Sequence, residues 1–540
     1  MNLLPLVLLV LGCTLPPTPA APVGPDPEIA RLVEAHLQFL ASDDLGGRET
    51  GTVQSLATGQ YVAAAMREAG LEPAAGDGGF FQSYPLEANR LDAASARLTV
   101  MGASGPQEFK FGENWALRGY NSGGFDLTAD CVFAGHGLVS EEAGLDEYAG
   151  LDVTNKFVVV LEGAPKGGEG FVQKSDDGKT PRRDPIRAAS SGRAKRAAAR
   201  SHGALGYVTI FDETAERARG SFKDLVAEAE HPALTIPPSA EDVQPAWPSL
   251  SMDSKAGRAL LAAGGMDLDA ERTARASFPT DPATQKPGAP APGRALPGAS
   301  LHLVAGVKSE KAHAYNILGR IQGSDPTVAN ETVILSAHND HIGTLADGRV
   351  NNGADDNASG TTTLLVAAWE LARQPAPRRS IVFLSVSGEE KGLWGSEWWC
   401  DHPTIPLTDV VCDINIDMVG RNDPDAVGAT PSPAHEDYNS LVARAVELGP
   451  QSGLRVTWTA PAASEDLVDN YYTRSDHYNF AAKGIPVVFF FSGVHEDYHR
   501  TTDDVEKIDR AKITRMVDLV GRLATDTANA AGRPHKIAKG

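Results

Sequence analysis

Residues 333–373 read VILSAHNDHIGTLADGRVNNGADDNASGTTTLLVAAWELAR. Val333 to Ala337 is an apolar run of strand length, and Thr361 to Arg373 repeats its apolar positions at helical spacing. Between them lies a polar loop rich in His, Asp, Asn and Gly. A buried strand feeding a loop and then a helix is one unit of a parallel sheet. The pattern repeats outward: Asn316 to Ile321, Ser380 to Ser387, Val410 to Met418 and Pro486 to Phe491 read as strands, and Tyr438 to Leu448 as a helix. This alternation predicts an α/β fold with a mixed, mainly parallel central sheet sandwiched by helices.

In such sheets ligands gather beyond the carboxyl ends of the strands. His338 and Asp340 follow one strand, Glu389 and Glu390 follow another, Asp417 lies near the end of a third, and His499 comes after a fourth. Separate strands thus deliver metal-type residues to one edge. Asp340 is placed to orient His338, because a ligating imidazole needs an acceptor on its second nitrogen; His341 then reads as a neighbour. Asp355-Asp356-Asn357 stands at a helix entry, where a carboxylate is held rigidly. Asp355 is assigned the shared carboxylate and Asp356 a capping role. Two adjacent carboxylates after a buried strand are costly unless paired or metal-bound, so one of Glu389 and Glu390 ligates and the other serves as general base. Asp413 shares a strand face with Asp417 but lies further from the strand end, so Asp417 is favoured. Either His495 or His499 has the chemistry of a ligand.

His plus carboxylate without thiolate suits zinc best, with manganese, cobalt or iron as alternatives. With Asp355 shared, one ion takes His338 and Asp417 and the other takes Glu390 and either His495 or His499, which makes two zinc ions in open, catalytic sites. Glu389 is left to move the proton of an activated water. Asp476, His477 and Tyr472 are candidates for supporting the transition state or the ligands.

The chain of 540 residues is too long for one compact domain. Its net charge of -21 argues against nucleic acid and against anionic lipid as partners. Leu3 to Leu11 reads as the apolar core of an export signal. Val10-Leu11-Gly12-Cys13 has the form of a lipobox, which predicts an exported protein anchored by a lipid on Cys13, periplasmic or at the outer membrane. Cleavage after Ala20 or Ala21 would release it as a secreted protein instead. The expected segments are residues 1–27 as signal and tether, 28–115 as helices and strands joining the catalytic region, 126–278 as a β-rich insert, 279–299 as a Pro/Ala-rich linker and 300–535 as the catalytic region. The basic run Lys174 to Arg200 reads as a solvated loop and helix face. Cys400 and Cys412 could pair, or Cys412 could be a buried thiol.

The segments Ala337-His338-Asn339-Asp340-His341, Asn352 to Gly360, Gly388-Glu389-Glu390-Lys391-Gly392-Leu393, Asn415-Ile416-Asp417-Met418, Ser475-Asp476-His477 and Tyr498-His499 together resemble the di-zinc exopeptidases. That broad family includes bacterial leucyl aminopeptidases, glutamate carboxypeptidase and glutaminyl cyclase. The resemblance favours His499 over His495 as ligand. Residues 126–278 resemble a protease-associated domain, on Phe133 to Gly137, Asp146 to Tyr148 and Asn155 to Val160. It implies an aminopeptidase acting on peptides, with Glu389 and Asp340 catalytic and His338, Asp355, Glu390, Asp417 and His499 on the metals. A carboxypeptidase would need a cation for the substrate carboxylate, for which Arg421 and Arg474 are the candidates. A cyclase or an inactive binding protein on the same frame completes the alternatives.

Overall fold

A computed structural model describes residues 27–118, 124–167, 186, 189–212, 222–230, 232–237, 247–279, 288–345, 347–459 and 467–537. The export signal, Cys13 and residues 174–185 of the basic run lie outside them.

The strand Thr332–His338 is buried at every position. Successive side chains of a strand point to opposite faces, and here both faces are covered. Val333, Leu335 and Ala337 join one core with Leu364 and Leu365 of the helix Gly360–Leu371 and Met516 and Val520 of the helix Arg510–Asn529. Ile334 joins the opposite core, with Trp399 of the helix Trp394–Asp401 and Phe480 of the helix His477–Ala482. The strand pairs in parallel with Ser380–Val386 on one side and Val410–Ile416 on the other, and Val487–Phe491 continues the parallel run. Antiparallel strands flank it: Arg294–Ile321 beside Ser380–Val386, and Ala426–Thr430 beside Val487–Phe491. The chain is therefore a mixed α/β protein whose central strands are parallel.

The N-terminal helices Pro27–Leu40 and Val53–Ala69 complete the first core through Val33, Leu37, Val62 and Met66. Thr52 caps the second by accepting from the Ser55 amide at 3.1 Å. Gly70 ends it with φ 92°, a left-handed turn that glycine enters without steric cost.

A second parallel run, Phe125–Phe133, Phe157–Leu161, Gly206–Ile210 and Ser249–Met252, has its own core around Phe133, Phe157, Val208 and Leu250. One long strand, Arg294–Ile321, pairs with Phe81–Met101, with Phe125–Phe133 and with Ser380–Val386, so it belongs to both halves of the sheet. It starts inside the stretch read as linker. Pro297-Gly298 gave that stretch its loop signature, and the two residues sit at a register shift between Ala295 and Ser300, the kind of bulge a strand tolerates. Cys131, Cys400 and Cys412 are free and buried. Among the described residues no helix is long and apolar enough to cross a membrane.

Candidate metal centre

His338 ends its strand, and its Nε2 lies 3.4 Å from Asp356 Oδ1 and 3.3 Å from Asp417 Oδ1. The other oxygen of Asp356 faces a second group: Oδ2 is 3.1 Å from His499 Nε2 and 3.8 Å from His341 Nδ1. Glu390 closes that group, with Oε1 2.7 Å from His341 Nδ1 and Oε2 3.1 Å from His499 Nε2. Two sets of ligand-type atoms, His338/Asp356/Asp417 and His341/Asp356/Glu390, each fall within 4.8 Å and share one carboxylate. His338 Nε2 and Asp417 Oδ1 are buried without a hydrogen-bond partner. The two buried atoms face each other 3.3 Å apart, and a cation between them would satisfy both, so the donor set fits a metal.

The shared carboxylate is Asp356, which corrects the assignment of Asp355. The Asp355 side chain turns away: its Oδ1 accepts from the Gly420 amide at 2.7 Å and its Oδ2 lies 3.2 Å from His495. The reason is local. Asp356 and Asn357 have non-helical backbone angles, so the two neighbouring carboxylates point apart before the regular helix begins at Gly360. Asp503 fixes this irregular turn by accepting from the Asp355 and Asp356 amides at 3.0 to 3.1 Å. His341, read from sequence as a bystander, is fully buried against Glu390. The signal was its place three residues after His338, in chain that has already left the strand.

Asp340 is a tie rather than a ligand. Its Oδ2 accepts from Thr50 Oγ1 at 2.8 Å, its two oxygens receive the Glu389 and Glu390 amides at 3.3 and 3.4 Å, and its Oδ1 lies 3.7 Å from His338 Nδ1. Arg48 does similar work from the N-terminal region. It is 1% exposed, and its guanidinium donates to the carbonyls of Leu40, Asn339, Asn352 and Gly353.

A chain of hydrogen bonds runs beneath Asp417. Ser475 Oγ donates to Asp417 Oδ2 at 2.8 Å and accepts from Asn415 Nδ2 at 2.8 Å. Ser336 Oγ is 3.0 Å from Asn415 Oδ1 and 2.7 Å from Asp413 Oδ1. Ser336 has one hydrogen for two oxygens. Burial pushes the Asp413 carboxyl well above the usual range, which favours the protonated form that could supply the second hydrogen. Asp413 is thus the far end of a support chain and not a ligand.

Glu389 lines a small cleft with Asp356, Asp417, Met418, Tyr471, Arg474, Phe489, Phe491, Val494 and Tyr498. Burial raises its carboxyl well above the ordinary value, opposed by His338 and reinforced by Glu390 and Asp417. Burial also acts to raise Glu390, but hydrogen bonds with His341 and His499 hold it well below. Two adjacent carboxylates are thereby pushed apart in basicity, which suits one to moving protons and the other to ligation.

The three support candidates stand behind the cleft wall. Tyr472 Oη donates to Asp437 at 2.9 Å, so this hydroxyl is spent elsewhere. His477 is stacked on Phe489 at 4.5 Å, and burial lowers its pKa to about 3. Asp476 accepts from Ser396 at 2.6 Å, and burial raises its pKa to about 7. The hydroxyls that do line the cleft are Tyr471 and Tyr498, and the Tyr498 ring stacks on His499 at 3.8 Å.

Solved structures share this architecture along nearly the whole chain. An aminopeptidase from Aneurinibacillus sp. strain AM-1 aligns over 95% of this chain and 96% of its own at a TM-score of 0.53 and 18% identity. BSAP, a zinc aminopeptidase from Bacillus subtilis, aligns over 92% and 94% at 0.50 and 18%. Identities this low speak for the fold alone. In sequence, a probable leucine aminopeptidase of Arthroderma otae is 26% identical over 236 residues, 42% of this chain and 62% of the relative. The match spans less than two thirds of that relative. Residues 316–524, which hold every residue of the two ligand sets, match the model of peptidase family M28.

Proposed function

We propose that the protein is a zinc-dependent aminopeptidase that holds two zinc ions and removes N-terminal residues from peptides. The observation that carries this reading is Asp356, whose two oxygens face two separate His/carboxylate groups. One ion would be held by His338, Asp417 and Asp356 Oδ1. The other would be held by Glu390, His499 and Asp356 Oδ2, with His341 beside them. When bound, such ions polarise a carbonyl and bring the pKa of water near 7. Glu389, at the mouth of the cleft, takes the proton from the attacking water and delivers it to the departing amine nitrogen. Burial raises the basicity of its carboxylate, which suits it to that exchange. Asp340 keeps His338 and the Glu389-Glu390 loop in register. The apolar wall of Met418, Phe489, Phe491 and Val494 receives the side chain of the leaving residue.

Residues 126–278 are proposed to act as a protease-associated domain that shapes access. Their strand Ala233–Thr235 pairs with Glu87 to Asn89, and Leu234 packs against Gly51, next to the Thr50 that holds Asp340. The N-terminal apolar run supports export, with Cys13 as the candidate lipid anchor.

The test is hydrolysis of free-amine, N-acetylated and C-amidated peptides by the zinc-loaded protein. Aminopeptidase action requires a free N-terminus, tolerates C-amidation and stops with a chelator. Cleavage that ignores N-acetylation and needs a free C-terminus would replace this reading by a carboxypeptidase.

A further inference from the structure

The cleft beside Glu389 has one basic residue in its lining, Arg474. The guanidinium stands over the Tyr471 ring at 5.3 Å and donates to Tyr498 Oη at 3.4 Å. It takes part in no ion pair among the described residues, and its side chain is exposed at the cleft mouth. Two other arginines near the centre are committed: Arg421 is paired with Asp497 at 2.9 Å, and Arg48 is spent on backbone carbonyls. Stacking on one tyrosine and touching the hydroxyl of another fixes the plane of the fork while leaving most of its N–H donors free.

The surroundings sharpen the point. The chain carries a net charge of -21, and the reactive edge of the cleft is built of Asp356, Glu389 and Asp417. In the metal-loaded centre proposed above Asp356 and Asp417 are taken up by the ions, and Arg474 is the cation of the cleft lining left open to a carboxylate further out. A guanidinium with two open, parallel donors is the group that receives a carboxylate best.

We infer that Arg474 is a specificity-determining residue that binds a carboxylate of the substrate close to the scissile bond, so that the preferred substrates are short or acidic peptides. The inference rests on the peptidase reading above. The carboxylate has two chemical sources: the C-terminus of a di- or tripeptide, or the side chain of an Asp or Glu residue. Both present the same group to the same fork.

The experiment compares matched substrates that differ only in that charge. Leu-Leu is set against Leu-Leu-amide, and a chromogenic glutamyl amide against its glutaminyl counterpart, for wild type, Arg474→Ala and Arg474→Lys, all zinc-loaded. Equilibrium binding of the two leucine dipeptides to each form in a Glu389→Gln background is measured in parallel. The expected result is a charged-over-neutral preference on the order of tenfold, expressed in KM. It collapses towards one in Arg474→Ala and partly returns in Arg474→Lys. A preference confined to the first pair assigns the C-terminal carboxylate, and one confined to the second assigns the side chain. A ratio near one in wild type, or an Arg474→Ala variant that loses charged and neutral substrates equally, overturns the inference and leaves Arg474 as a strut for Tyr471 and Tyr498. Turnover of nothing, with the binding preference intact and Arg474-dependent, sinks the peptidase reading and keeps the carboxylate site. Turnover of both pairs without preference does the reverse.

Discussion

Two regions of this molecule bury several charges each, and they do so in opposite ways. In the 126–278 region, Arg275 is 3% exposed and lies 3.1 Å from Glu147 and 3.2 Å from Glu271. Arg294 also meets Glu271. The second oxygen of Glu147 accepts from the His136 and Leu138 amides at 3.0 and 2.9 Å, and Arg275 donates on to the carbonyls of Ala291 and Pro292. Each carboxylate there is answered by a guanidinium. Around His338 the account does not close. Asp356, Glu390 and Asp417 meet imidazoles, Glu389 has no ion pair among the described residues, and His338 Nε2 and Asp417 Oδ1 have no hydrogen-bond partner. Buried charge alone therefore does not mark a site. A buried surplus of one sign, with lone pairs converging on a point, does.

The sharpest way to break this contrast is to remove the proton carrier. Glu389→Gln should lower kcat about a thousandfold while the metal content stays at the wild-type level. Turnover near wild type would show that the surplus of charge serves ligation alone. Next comes the shared carboxylate: Asp356→Ala should empty both positions in elemental analysis, whereas Asp355→Ala should retain both ions. The opposite pattern would restore Asp355 as the bridge. In the closed network, Arg275→Leu leaves Glu147 buried without its cation and should cost about 3–5 kcal/mol in equilibrium unfolding. Metal content in the surviving fold should not change.

Acid probes the same region. Burial, with help from the charge of Lys195, lowers the His136 pKa to about 4. Below its ordinary pKa the unfolded chain takes up a proton that the folded chain refuses. His136 therefore contributes stability at neutral pH that is lost as the pH falls from about 6.5 to 4, by up to about 1.4 kcal/mol per unit. Urea titrations across that window should show a decline that is shallower in His136→Gln. The smallest effect is expected at Asp413. Asp413→Asn keeps a hydrogen to give Ser336, so zinc affinity measured by chelator competition should stay within about twofold of wild type. Asp413→Leu should weaken it through Ser336, Asn415 and Ser475. A large loss in the Asn variant would mean that the Asp413 charge itself matters.

The chemistry was legible because strands deposit their terminal residues at one edge. His338, Asp417, the Glu389-Glu390 pair and the pair His495 and His499 could be gathered from strand ends without a structure, the preference for His499 came from the family resemblance, and the parallel order of the central strands came with them. What stayed hidden depends on turns. Asp355 and Asp356 are equal by type and differ in direction, and the direction is set by a kink that delays the helix to Gly360. Arg48 and Thr50 lie 291 and 290 residues from the Asn339 and Asp340 they hold, so no local spacing reveals them. Lys195 was read with a solvated basic run; it is 4% exposed and donates to the Gly163 carbonyl. A loop signature also hid the first part of the strand Arg294–Ile321, whose bulge accepts Pro297.

The Arg48 clamp has a consequence for timing. The centre is assembled from Arg48 near one end of the chain, His338 in its middle, and His499 and Asp503 near the other. During synthesis His499 and Asp503 follow Arg48 by about 450 residues. A growing chain that stops short of them therefore lacks part of the centre, and the site becomes complete only when these distant segments close on one another.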